Sequence, residues 1–277
     1  GDGTLEFNDG GSVAKLTLDN TTLVLQDNLT VGEIFKTTGT EPTLQFNNNS
    51  LDLTSDNAQL KLGTSLNLNG ILTSEKTAVT LSADSTLSRS SAFTLGSINL
   101  QNLALILGSA ESDLTVTGAV TFGYPSSQIN TGGADLSLQS AVSLANGKIS
   151  STAGTLVFEQ GAALGGNNAI LDFSGSTVEF SGTLNVGAGT ITSDNGSVLE
   201  LQAASSFSSN AVFTIPKLEL NSQALTLNTS STHLTLSNPF TVGASESVDT
   251  QAGSLTLNGS ATLEDNGTIE SSAGSLT

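Results

Sequence analysis

Residues 252–277 read AGSLTLNGSATLEDNGTIESSAGSLT. Leu255 and Leu257 flank a single polar residue, Leu263 and Ile269 follow at about six-residue steps, and Leu276 reopens the pattern. Alternation of period two places Leu255 and Leu257 on one face of a strand. Gly, Asn and Ser between the apolar points supply turn chemistry. The stretch therefore predicts three short strands joined by polar corners, which is one turn of a parallel β-helix.

The same tripeptide, apolar–x–apolar, recurs along the whole chain. It starts at Leu5, Leu23, Leu44, Leu60, Val79, Ile98, Leu114, Leu136, Leu156, Val178, Leu199, Leu218, Leu234 and Leu255, and opens again at Leu276. The intervals between these starts average about 19 residues, too regular for a sandwich. A fixed period of this length marks a solenoid. The fold class expected is all-β, a single right-handed parallel β-helix of about 14 turns, spanning residues 1–277 without a linker. Turns stacked about 4.8 Å apart would give about 65–70 Å of length. No segment sustains the i, i+3, i+4, i+7 spacing of a capped helix.

A longer period lies over the short one. The starts at Val79, Ile98, Leu114, Leu136 and Leu156 are answered in order by those at Leu199, Leu218, Leu234, Leu255 and Leu276. Residues 79–156 thus match 199–276 as an internal duplication of roughly 120 residues, with Phe93-Thr94-Leu95 answering Phe213-Thr214-Ile215. In both copies the second interval is the shortest. Such short intervals carry two strands seven residues apart, at Leu44/Leu51, Ile98/Leu105 and Leu218/Leu225, and read as a distinctive short turn.

Composition fits many small burials. The 277 residues contain 11 Phe, one Tyr and no Trp, Met or Cys, so Leu, Val, Ile and Ala carry the core. Without Cys there is no disulfide framework, thiolate metal site or Cys nucleophile. Against 25 Asp and Glu stand 7 Lys and Arg, a formal charge of −18. That balance argues against nucleic acid and anionic membranes as partners. No apolar run reaches bilayer-spanning length. The chain does not open with Met, so it is expected to be processed or excerpted.

Ala252-Gly253-Ser254-Leu255-Thr256-Leu257-Asn258-Gly259, Asn266-Gly267-Thr268-Ile269 and Ala273-Gly274-Ser275-Leu276, with Ala153-Gly154-Thr155-Leu156, resemble the repeats of filamentous-haemagglutinin-type adhesins. The resemblance covers most of the chain, and many β-helical passengers and phage fibres share the motif. It implies a right-handed β-helix exposed on a bacterial surface, used for adhesion or matrix building. The family's N-terminal secretion domain has no counterpart in these residues.

Polar positions supply the site candidates. Asn or Gln follows eight of the tripeptides, at Asn8, Gln26, Asn47, Gln101, Gln139, Gln202, Asn221 and Asn258, and suggests amides stacked along the axis. The outward middle residue is Glu in three consecutive turns: Glu179, Glu200 and Glu219. Carboxylates stacked about 5 Å apart repel, and a bound cation would relieve them. Oxygen ligands suit Ca²⁺, so these three are the candidate metal residues, against the alternative of a solvated acidic stripe. No other cofactor is expected.

Catalytic material is sparse: one His (His233), one Arg (Arg89, with Asp84 in its turn) and one Tyr (Tyr124). The two-carboxylate arrangement of glycosidases lacks a groove to work in, and no G-x-S-x-G elbow occurs. Asn-x-Ser/Thr sequons at Asn20, Asn28, Asn48, Asn195, Asn228, Asn258 and Asn266 carry little weight in so Asn- and Ser-rich a chain. The chain is not expected to be an enzyme. The expected function is an extracellular, cell-surface structural or adhesive fibre segment presenting a stiff acidic surface. Its expected partners are neighbouring copies joined head-to-tail or the rest of a longer solenoid, with surface glycans or host receptors beyond them. The alternative is a carbohydrate-binding or carbohydrate-cleaving β-helix such as a phage fibre.

Overall fold

Strands stack on strands in parallel among the described residues of each unit. The computed structural model describes residues 3–19, 21–38, 43–53, 58–63, 66–73, 77–89 and 92–277. Every described strand pairing is parallel, and no described residue is helical. The protein is a β-solenoid. Two compact units, Gly1–Gln139 and Ser140–Thr277, divide the chain.

Register in the first unit follows three tracks. Leu5 pairs Leu23, which pairs Leu44, which pairs Leu68. Phe35 pairs Leu60, then Val79, then Ile98, then Val120. Phe93 pairs Leu114, which pairs Leu136. The second unit has its own tracks: Leu156, Val178, Leu199 and Leu218; then Phe213, Leu234, Leu255 and Leu276. Apolar residues of these tracks face a narrow core, with Leu23, Phe35, Leu60, Leu136, Val178 and Leu234 essentially sealed from solvent.

This register corrects the short turns expected from the sequence. Leu44 stacks on Leu68 rather than Leu60, Ile98 on Val120 rather than Leu114, and Leu234 on Phe213 rather than Leu218. Each of the three short intervals passes the chain to another face of the solenoid. A complete turn runs from a residue to the one it pairs with, as short as Leu5 to Leu23 and as long as Phe35 to Leu60. The units together hold about 11 turns, fewer than the 14 counted from tripeptides, because three of those intervals are not turns. All faces bury alternate residues, so the apolar–x–apolar code marks a strand and says nothing of which face it lies on.

A common strand plan runs through both units. Phe93–Leu95, Ser97–Asn99, Ala104–Leu107 and Leu114–Val116 recur as Val212–Ile215, Lys217–Glu219, Ala224–Leu227 and His233–Leu236. Corner details recur with them. Gln101 and Asn221 both take left-handed backbone, with φ of 52° and 49°. Ser109 and Ser112 share a hydroxyl hydrogen bond of 2.7 Å, and Thr229 and Thr232 share one of 2.8 Å at the same place in the plan.

Inside the second unit, aromatic rings form a column. Phe158, Phe180, Phe207 and Phe213 follow one another at centroid distances of 5.9, 6.1 and 6.2 Å, tilted or edge-on, the favoured geometries for aromatic pairs. Corner hydroxyls line the core beside them. Ser176 donates to Ser151 Oγ at 2.8 Å, and Ser197 donates to the Phe173 carbonyl at 2.9 Å, so these hydroxyls are buried with partners, unlike those of Thr131 and Thr250. Gly161 is required where it stands: its φ is +90°, and a Cβ there would lie 2.5 Å from the Thr183 carbonyl oxygen.

Three expected inward points of the opening stretch differ from the rest. Leu263 is 57% and Leu276 48% exposed, and Ile269 is half-buried. Each of their strands has a described neighbour on one side. An inward side chain in a solenoid is covered by the turns above and below it, so one neighbour leaves it partly wet.

Leu201 and Leu236 are 0% and 1% exposed and sit mid-column, opposite Phe180 and between Ile215 and Leu257. Leu201→Asp or Leu236→Asp should therefore destabilise the second unit by several kcal/mol, as an unpaired buried charge does. Thermal unfolding by circular dichroism reads this, and wild-type melting of either variant would refute the register.

Candidate functional site

Three in-register strands of the second unit carry the acidic candidates. Glu179 lies directly opposite Glu200, and Glu200 opposite Glu219. On either side of each Glu an apolar residue turns inward: Val178 and Phe180, Leu199 and Leu201, Leu218 and Leu220 are all buried. That alternation forces the carboxylates outward, where all three are half-buried. The sequence thus located a real ladder. The neighbouring strand Thr155–Phe158 continues the column with Val157 opposite Glu179, so the acidic run is limited to three.

Two local contacts relieve the repulsion. Lys217, two residues before Glu219 on the same strand and face, forms an ion pair with it. Asn221 Nδ2 donates to Glu200 Oε2 at 3.5 Å. Among the described residues, no group of three or more Asp, Glu or His is placed to hold a metal ion. Sequence reading missed Lys217, although its i, i+2 spacing from Glu219 on a strand was a usable signal.

The amide positions do not build one column. Gln101 and Asn221 occupy left-handed corners, whereas the amide N–H groups of Gln139 and Asn258 extend strand ladders to the Val116 and Leu236 carbonyls. Their side chains are exposed. The catalytic candidates stay apart. His233 is half-buried with Nδ1 hydrogen-bonded to Ser254 Oγ, Tyr124 is 56% exposed, and Asp84 accepts from the Ala104 N–H at 2.8 Å. The side chain of Arg89 lies outside the described residues.

Carboxylates that the sequence reading passed over do structural work. Asp194 Oδ1 accepts from the Gly175 and Gly196 N–H groups at 2.8 and 3.0 Å and shares the one Ser197 hydroxyl proton, 2.9 Å away, with the Phe173 carbonyl. These bonds, the one from Gly175 foremost, hold its carboxyl below the ordinary carboxylate value. Burial pushes Asp172 up, but the hydrogen bond and charge of Lys148, 2.7 Å away, together with Ser174, outweigh it and leave the carboxyl lowered. Both corners tie one turn to the next.

Among the surface grooves of the second unit, two border the residues discussed above. One, of about 550 Å³, is lined by Thr190, Thr192, Asp194, Asn195, Val212 and Thr214. The other, of about 370 Å³, is bordered by Lys217, Glu219, Pro239, Thr241, Glu246 and Glu264. Glu246 is already engaged, accepting from the Ser222 and Gly243 N–H groups at 2.9 and 2.6 Å. No family model, curated protein or solved structure matches this chain.

Two outcomes follow from these charges. A carboxyl lowered by folding contributes stability that is complete above its ordinary value of 3.8 and disappears as pH falls through the folded value. Asp172→Asn with Asp194→Asn should therefore lose less stability than wild type between about pH 4 and pH 2, as read by urea unfolding at stepped pH. Lys217→Gln removes the counter-charge of the Glu ladder. It should lower the melting temperature at low ionic strength, with the difference closing in about 0.5 M NaCl because exposed pairs are screened.

Proposed function

We propose that this chain is an extracellular structural or adhesive fibre segment of the filamentous-haemagglutinin-like type, displayed on a bacterial surface. The observation that carries the reading is the register itself. Turn after turn buries alternate aliphatic and aromatic side chains and turns Thr, Ser, Asn, Glu and Asp outward. Such a stack is stabilised by nearest-neighbour interfaces, so length is gained without redesigning a core. The repeat pattern in Ala252–Gly259 and Ala273–Leu276 is the sequence support for the adhesin class. Its partners would be surface glycans or host receptors, together with further turns of the same kind, whether from a longer chain or from neighbouring copies.

A second reading draws on the groove of about 550 Å³. Hydroxyls of Thr190, Thr192 and Thr214 with Asp194 and Asn195 could contact a saccharide, as in a carbohydrate-binding β-helix. The one aromatic side chain in its lining, Phe213, is 6% exposed and offers no face for sugar stacking. The fibre reading is favoured on that ground.

Beads coated with the purified chain test the two together. A fibre adhesin should retain beads on cell monolayers, and a glycan array should show a selective hit only if a saccharide is the receptor. Failure of the beads to bind cells or glycans above an albumin control would remove the adhesive role.

A further inference from the structure

Seven cationic side chains serve 25 acidic ones in this protein, and two of the seven stand side by side. Lys36 lies directly opposite Lys61 on paired parallel strands, with Phe35, Thr37, Leu60 and Leu62 buried on either side of them. Both ammonium groups must therefore point outward from one face of the first unit. Thr17 precedes them in the column and Thr80 follows. Like charges directly opposite in a ladder are destabilising. Elsewhere each cation described has a local partner: Lys15 with Glu33 at 3.3 Å, Lys148 with Asp172 at 2.7 Å, and Lys217 with Glu219. Among the described residues, Lys36 and Lys61 form no such ion pair.

The second unit carries the complementary arrangement. Of the three stacked glutamates, Glu219 is held by Lys217, while Glu179 and Glu200 form no ion pair among the described residues. Two lysines and two glutamates are thus each presented in register on parallel strands. The spacing is the same in both, about 4.8 Å, because it is set by the backbone ladder and not by the side chains.

We infer that the Lys36–Lys61 pair is a docking surface for the Glu179–Glu200 pair of a second copy of this chain. Matched pitch lets both ammonium–carboxylate contacts form at once, so the second adds to the first without a further loss of translational freedom. The contact is heterologous, leaving a lysine pair on one copy and a glutamate pair on the other for the next. It stands on the geometry alone and holds whether or not the adhesive reading does. At the ionic strength of body fluids the Debye length is about 8 Å, so repulsion between two acidic molecules is damped while contact pairs persist.

Sedimentation velocity of the full chain over a concentration series tests this, in about 0.15 M and about 1 M NaCl. The wild type should associate reversibly at the lower salt and sediment as a monomer at the higher. Lys36→Glu with Lys61→Glu should weaken association about tenfold or more, since two attractions become two repulsions. Glu179→Lys with Glu200→Lys should do the same. Mixing the two charge-reversed proteins should restore association, because each then offers the face the other lacks. Circular dichroism checks that both fold. A wild type that stays monomeric at every concentration overturns the proposal and leaves the lysine pair to a foreign acidic partner. Association that survives both reversals overturns it too, and assigns the contact to another surface such as the strand edges.

Discussion

The parallel ladder, held in residue register along each track and broken by a few bulges, is the constraint on which the rest of this structure depends. Each strand presents its inward residue over the inward residue of the strand before it, so like stacks on like: Leu on Val, Phe on Phe, Glu on Glu. Stacking of identical types is favourable for apolar and hydroxyl side chains, which gain contacts and hydrogen bonds. For charged side chains it is unfavourable. The interior can therefore be built from ordinary aliphatic residues with few aromatics, while the charged columns outside need relief from elsewhere.

Relief takes several forms. Asp172 is paired with Lys148 across a turn, Asp194 is saturated by backbone N–H groups and a serine hydroxyl, and Glu219 is held by Lys217. Corners need similar management, because a sharp change of direction in every turn would leave buried polar atoms unsatisfied. Inward Ser and Thr hydroxyls bridge successive corners, as Ser176 does to Ser151. Left-handed residues such as Gly161, Gln101 and Asn221 let the chain change direction. A surface this regular offers repeated, evenly spaced polar groups. That is the physical link between the fold and the fibre reading.

Much of this was legible in the chain. Period-two alternation, recurring at nearly even intervals, determined parallel stacked strands, their inward residues and the outward position of Glu179, Glu200 and Glu219. Those features depend only on local alternation and recurrence, which a sequence displays directly. Face assignment was not legible. Leu60 and Leu114 carry the same tripeptide as the strands before them yet stack on Phe35 and Phe93, because register depends on how many residues each corner absorbs.

Side-chain pairing also belonged to the tertiary structure. That Lys217 neutralises Glu219, that Asp194 closes a corner, and that Lys36 meets Lys61 a full turn further along the chain all follow from which strands become neighbours. Composition announced an acidic protein with few cations. Only the folded ladder decided which of the described cations would find a carboxylate and that Lys36 and Lys61 would face outward together, because charge pairing acts over a few ångströms and sequence separation does not measure that distance.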